Sequence, residues 1–189
     1  KTTSNFYGKR KKFTVFKLPQ DKIKDLKDVV NTLSVPFTLE VAVSQLGKTK
    51  AFYLILPASR SKKIVDVFGA REIEDYDLYY PGGVVVGGYA GGEGSLQNFS
   101  ADSIDFSEVN EIGEGAVVQF LIKKKNKDGF LANVRALVSA PSSYQAKEIF
   151  SQIKNSLGHV KFTEVKSGEF IENVNGRVFN EKESIKVSL

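Results

Sequence analysis

Apolar and polar residues alternate most regularly between Pro36 and Pro57 (PFTLEVAVSQLGKTKAFYLILP). Phe37, Leu39, Val41 and Val43 fall on one face and Thr38, Glu40, Ala42 and Ser44 on the other, the period-two signature of a half-buried strand. With the apolar run after a turn near Gly47 and Lys48, the pattern predicts a β-hairpin. Helical periodicity flanks it on both sides. Asp21 can cap a helix reaching about Ser34, with Ile23, Leu26, Val29, Val30 and Leu33 on one stripe. Ser59 or Ser61 starts a second helix carrying Ile64, Val65, Val67 and Phe68, which Gly69 ends. Strands at Phe13 to Leu18 and Glu72 to Tyr79 complete the order β-α-β-β-α-β, the split βαβ motif of ferredoxin-like units.

The second half has a similar grammar. Ser103 to Ile112 reads as a short helix or irregular crossover, and Ala116 to Lys124 with Phe130 to Ser139 make another hairpin. Ser142 and Gln145 form a capping box ahead of a stripe of Ala146, Ile149, Phe150, Ile153 and Leu157, closed by Gly158. His159 to Lys166 and Phe170 to Phe179 read as terminal strands. The expected fold class is α+β: two ferredoxin-like units with antiparallel sheets and helices on one face. The boundaries expected are a flexible basic arm at 1–12, a first unit at 13–80, a Gly-rich linker at 81–97 and a second unit at 98–189. Within the linker, Val84 to Val86 suit a short strand flanked by glycines.

Composition narrows the possibilities. At 189 residues, 41% hydrophobic and 26% charged, the chain is globular in character and long enough for one large domain or two small ones. It has no run of about 18 apolar residues and no signal peptide. The absence of cysteine excludes disulfides, thiolate chemistry and cysteine-ligated metals. A chain beginning at Lys1 and lacking methionine reads as a fragment or a processed product.

Charge is unevenly placed. The net charge is +5, and Lys1, Lys9, Arg10, Lys11 and Lys12 supply five positive charges with no acidic residue among them. Of the 27 basic residues, the 22 that remain equal the 22 acidic ones, so the body is neutral. The arm suits a phosphate-binding tail, a juxtamembrane segment or a solubilising leader. Lys123, Lys124, Lys125 and Lys127 form a second cluster, in keeping with a solvated hairpin tip.

Candidate chemistry is sparse, and no catalytic, cofactor or metal residues are assigned. The Pro81 to Gly94 stretch lacks the Lys-Ser/Thr of a phosphate-binding loop. His159, the sole histidine, has no spaced partner, and Glu72, Glu74, Asp75 and Asp77 alternate along a strand instead of converging. An RNA-recognition motif shares the βαββαβ order, but Lys50 to Leu56 places leucines where base-stacking aromatics should stand. Gln119, Asn133 and Arg135 give the second hairpin a polar-spotted open face: a hydrogen-bonded ladder, or a docking surface.

The segments PFTLEVAV, AFYLILP, EIEDYDLYYPGG, AVVQFLIK and ANVRALVSAPSSYQAKEIFSQIK before HVKF resemble the N-terminal α+β region of bacterial type IV secretion and conjugative-transfer ATPases of the HerA/FtsK-like superfamily. The similarity runs over most of Phe13 to Leu189 and rests on hydrophobic and structural residues. It implies a non-catalytic assembly or regulatory domain, with the Walker motifs downstream and a transmembrane segment upstream in the parent protein. Implied partners are sister subunits, the ATPase domain and membrane components, at the cytoplasmic face of the membrane. The alternative is a free-standing nucleic-acid-binding module using Lys9 to Lys12 and the Lys123 to Lys127 loop.

Overall fold

The period-two segments pair into a mostly antiparallel sheet in the structure, a computed structural model. It describes residues 3–5, 13–19, 26–33, 36–44, 50–58, 67–77, 82–95, 103–127, 129–158 and 160–188. In chain order the strands are β1 (Thr3–Asn5), β2 (Phe13–Leu18), β3 (Phe37–Ser44), β4 (Ala51–Pro57), β5 (Arg71–Ile73), β6 (Val84–Gly91), β7 (Glu93–Ser95), β8 (Gly115–Asn126), β9 (Gly129–Ala140), β10 (Lys161–Val165), β11 (Val178–Asn180) and β12 (Ile185–Ser188). The α-helices with bounds among the described residues are α1 (Leu26–Thr32), α2 (Ser143–Ser156) and α3 (Gly168–Asn175), and residues 67–68 are also helical.

The main path runs β10-β6-β9-β8-β3-β4-β2-β5, and neighbours along it are antiparallel. Both halves of the chain therefore contribute to one sheet. They meet where β3 pairs with β8 from Phe37↔Ile122 to Ser44↔Gly115. At the far side β12 pairs with β9 and β7, bringing Ile185 and Val187 into the core.

Strand parity sorts the side chains onto two faces. Phe37, Leu39, Val41, Phe120, Val134 and Ala136 belong to the larger core, on the side of α1 and α2. There the expected stripe of α2 is buried, with Leu157 just beyond it. Each large apolar side chain on that stripe contributes roughly 1.5–3 kcal/mol relative to exposure. Ser142 caps α2 as expected, its Oγ accepting from the Gln145 N–H at 3.2 Å, while the Gln145 side chain accepts from the Ser142 hydroxyl at 2.7 Å in place of the backbone N–H of a full capping box. Gly69, with a left-handed φ of 62°, follows helical residues 67–68, while the rest of the expected second helix lies outside the described residues.

Several expectations are corrected. Inside the stretch expected as a linker, Val84–Gly91 form β6, an interior strand between β9 and β10. Its glycines answer to close approach: a Cβ on Gly88 would lie 2.5 Å from the Thr163 carbonyl oxygen and 2.9 Å from Phe150, and one on Gly87 would lie 2.7 Å from Phe170. The segment Phe170 to Phe179 is mainly helix, with α3 capped by Ser167 and burying Phe170 and Val174 one turn apart. α3 packs with Val117 and Leu137 on the face opposite α2, so the helices are not confined to one face. β5 stops at Ile73, and beyond it Asp75 accepts from Arg177 while the Tyr76 hydroxyl donates to Glu40 on β3. The arm at 1–12 is not wholly free: Thr3–Asn5 pairs with β11, while Lys1 and Lys9 to Lys12 lie outside the described residues. Residues 103–114 are the irregular crossover, anchored by buried Ile104, Phe106 and Val109.

Candidate functional site

The second face of the sheet carries an unusual concentration of buried polar side chains. Glu40 on β3, Gln119 on β8, and Asn133 and Arg135 on β9 all have 0% exposure. Register explains their meeting: Glu40 stands opposite Gln119, and Gln119 opposite Arg135. The expectation of an open face at Gln119, Asn133 and Arg135 is therefore corrected. The chain's own α3 and β11 cover it, and polar groups at their ends complete the hydrogen bonds.

Arg177, between α3 and β11, is the centre of this covering layer. Its Nε and Nη2 each donate to Glu40 at 3.0 Å, one to each carboxylate oxygen. Its Nη1 and Nη2 also reach Asp75, at 3.0 and 2.9 Å. The guanidinium lies 5.0 Å from the Phe13 ring centroid and 5.8 Å from that of Tyr76. Arg177 adopts a φ of 51°, a left-handed conformation costing roughly 1–2 kcal/mol in a non-glycine residue. The ion pairs and ring contacts hold it there.

Glu40 receives further donors. The Tyr76 hydroxyl donates to Oε1 at 2.7 Å and the Gln119 amide to Oε2 at 2.6 Å. Gln119 also donates to the Val174 carbonyl at 3.0 Å and accepts from Arg135 at 2.7 and 3.0 Å. Arg135 in turn donates to the carbonyls of Val178 at 2.7 Å and Asn173 at 3.3 Å. Asn133 forms a reciprocal pair with the Asn180 backbone, donating at 2.9 Å and accepting at 2.7 Å. The network ties β3, the 74–77 segment, the β8–β9 hairpin and the C-terminal segment into one layer.

Electrostatics follow the geometry. Burial acts to lower the Arg177 pKa, but Glu40 and Asp75 outweigh it and raise it above the ordinary guanidinium value. Burial first, then the Glu40 charge and the hydrogen bond to it, push the Tyr76 hydroxyl well above the usual tyrosine value. Tyr53, stacked on Tyr76 with centroids 4.1 Å apart, is raised by burial and by Glu40. The Glu40 carboxylate and the Arg177 guanidinium thus meet as a buried ion pair within the layer.

The other expected residues are scattered. The Lys123 ammonium pairs with Glu181 at 2.7 Å and lies 4.4 Å from the Phe179 ring centroid. Lys124, Lys125 and Lys127 are exposed at the hairpin end, and His159 lies outside the described residues. Among the described residues no acidic or histidine group converges into a metal site, and no helix is long and apolar enough to cross a membrane.

The hairpin parity pointed to Gln119, Asn133 and Arg135, but Glu40, Asp75, Tyr76 and Arg177 were not among the expected site residues. One signal was available: Glu40 sits in the middle of a strand with apolar neighbours, where a buried charge requires a partner. No protein-family model matches the chain, and neither a curated protein nor a solved structure does so.

Proposed function

We propose that the chain is a non-catalytic assembly or regulatory module and that, as its sequence resemblance implies, it serves beside the motor domain of a type IV secretion or conjugation-like ATPase. The observation carrying the module reading is the Glu40–Arg177 network, in which buried charge is spent holding distant segments in one register. That is the work of a scaffold. Strand order supports the expected pair of ferredoxin-like units. β5-β2-β4-β3 and β10-β6-β9-β8 each follow the fourth-first-third-second order of an antiparallel split βαβ unit, joined through β3 and β8. On this reading the partners are sister subunits, the parent's ATPase domain and membrane components at the cytoplasmic face.

The test is the parent coding sequence on both sides of this chain. A downstream GxxxxGK[ST] segment and an upstream apolar span are expected. A reading frame that stops at Leu189 would overturn the motor assignment and leave the module reading standing. The exposed Lys124 and Lys125 favour one alternative, nucleic-acid binding through the hairpin end and the Lys9 to Lys12 arm. It requires binding that falls steeply with salt and weakens in Lys124→Glu/Lys125→Glu. Salt-insensitive or absent binding removes it.

A further inference from the structure

β10 leaves part of its neighbour uncovered. It pairs with β6 from Gly87 to Gly91 and stops at Val165, whereas β6 begins three residues earlier and pairs with β9 from Val84 onward. Among the described residues no strand pairs with Val84–Val86 on the β10 side. Backbone N–H and C=O groups of alternate residues there turn away from β9, as in any sheet edge.

This short edge lies in a cleft of about 240 Å³. Val84 and Val86 turn toward the α2 side, where Ser143 and Lys147 line the cleft. Val85 turns toward the α3 side, where Ile171 does so. Lys166, directly after β10, flanks the end. The cleft thus lies between α2 and α3, in line with β10. Lys147 and Lys166 are exposed and form no ion pair among the described residues, and Glu164 is the one acidic residue lining the cleft. The cationic balance selects against a basic occupant.

We propose that the Val84–Val86 edge is a strand-addition site for an extended segment of a partner protein, with acidic side chains alternating with apolar ones. Main-chain hydrogen bonds to β6 supply the affinity, and alternate side chains supply the selectivity. Because successive residues of an added strand point to opposite faces, one set meets Lys147 and the other Ile171. An acidic residue suits the first position and an apolar one the second. The cleft is independent of the motor assignment and does not involve the buried network.

The probe is an N-acetylated hexapeptide alternating valine and aspartate, added to the full chain while amide hydrogen exchange is followed residue by residue. The expected result is slowed exchange at the outward amides of Val84–Val86. N-methylation of the peptide backbone should abolish the effect, and Lys147→Glu/Lys166→Glu should weaken binding roughly tenfold. Both lysines are exposed, so the variant should keep wild-type exchange elsewhere. Unchanged exchange at millimolar peptide would overturn the proposal. So would an equal response to the N-methylated peptide or to one with lysine in place of aspartate. Protection at Val84–Val86 that grows with protein concentration alone would assign the cleft to a second copy of this chain and also overturn it.

Discussion

Replacing Arg177 by leucine tests the central tie directly. The substitution removes three hydrogen bonds to Glu40 and Asp75 and a further ion-pair contact with Asp75. Asp75 is half exposed, with 48% of its side chain accessible, and water can replace its lost partner. Glu40 has no such recourse: its side chain is 0% exposed, and only the Tyr76 hydroxyl and the Gln119 amide remain as donors. Breaking a buried pair by removing one partner costs about 3–5 kcal/mol. Against a total stability of about 5–15 kcal/mol this is a large fraction. At roughly 2–4 °C per kcal/mol for a chain of this size, the melting temperature should fall by about 6–20 °C.

The companion variant is Glu40→Leu/Arg177→Leu, in which neither charge is stranded. Replacing a buried pair with apolar residues is often neutral or stabilising. The double variant should therefore be more stable than Arg177→Leu alone. A denaturant-unfolding cycle of wild type, both singles and the double measures the coupling, expected to exceed about 2 kcal/mol. If Arg177→Leu costs under about 1 kcal/mol and the cycle closes additively, the ion pair does not hold the C-terminal layer.

Tyr76, whose folded-state pKa is raised, gives a prediction in alkali. Its contribution should be fully present below the unfolded tyrosine value of about 10 and lost as pH rises from there through the folded value. Tyr76→Phe should flatten that slope in melts from pH 9 to 11. Glu183 behaves as an acidic counterpart: burial raises its pKa, and its Oε2 has no hydrogen-bond partner. Its penalty is absent below about pH 4.3 and grows as pH rises through the folded value, so Glu183→Gln should raise the melting temperature at pH 7 and lose that advantage at pH 4. Gly88→Ala should cost about 1–3 kcal/mol because the new methyl meets a backbone carbonyl, while Gly91→Ala, whose Cβ finds only ordinary contact at 3.8 Å, should be near neutral in the same unfolding assay.

Local patterns were legible where apolar and polar residues sort onto two strand faces or one helical stripe meets a core, although β3, expected to be half-buried, is covered on both faces at Thr38 and Glu40. The 37–43 alternation and the Ser142-capped α2 emerged with the expected faces, because each is set by residues within a turn or two. Glycine misled at 87 and 88. Paired glycines are a breaker signal in the sequence, but here they admit Phe170 on one side and the β10 backbone with Phe150 on the other. Those neighbours lie 60 or more residues away. α3 was read as a strand since its eight residues offer only Phe170 and Val174 as a buried pair; Ser167, capping Phe170 at 3.3 Å, was the signal for its start. The Glu40–Arg177 pairing spans 137 positions, so Glu40 among apolar strand neighbours signals a partner without locating it.

These features converge on the docking of the C-terminal layer. A helix of eight residues is far below the length that is stable alone in water, so α3 exists through its contacts. Two buried apolar residues give limited burial and little choice of register. Gly87 supplies the opening that seats Phe170 near the start of the layer. At its other end Gln119 and Arg135 grip the carbonyls of Val174, Asn173 and Val178, while Asn133 grips the Asn180 backbone. A one-residue slip would remove all of these bonds and strand both Glu40 and Arg135, at a cost well beyond the apolar area it would conserve. The polar residues of the second face thus act as the register code for residues 168–180, and this accounts for charges kept where an apolar core would have packed at lower cost.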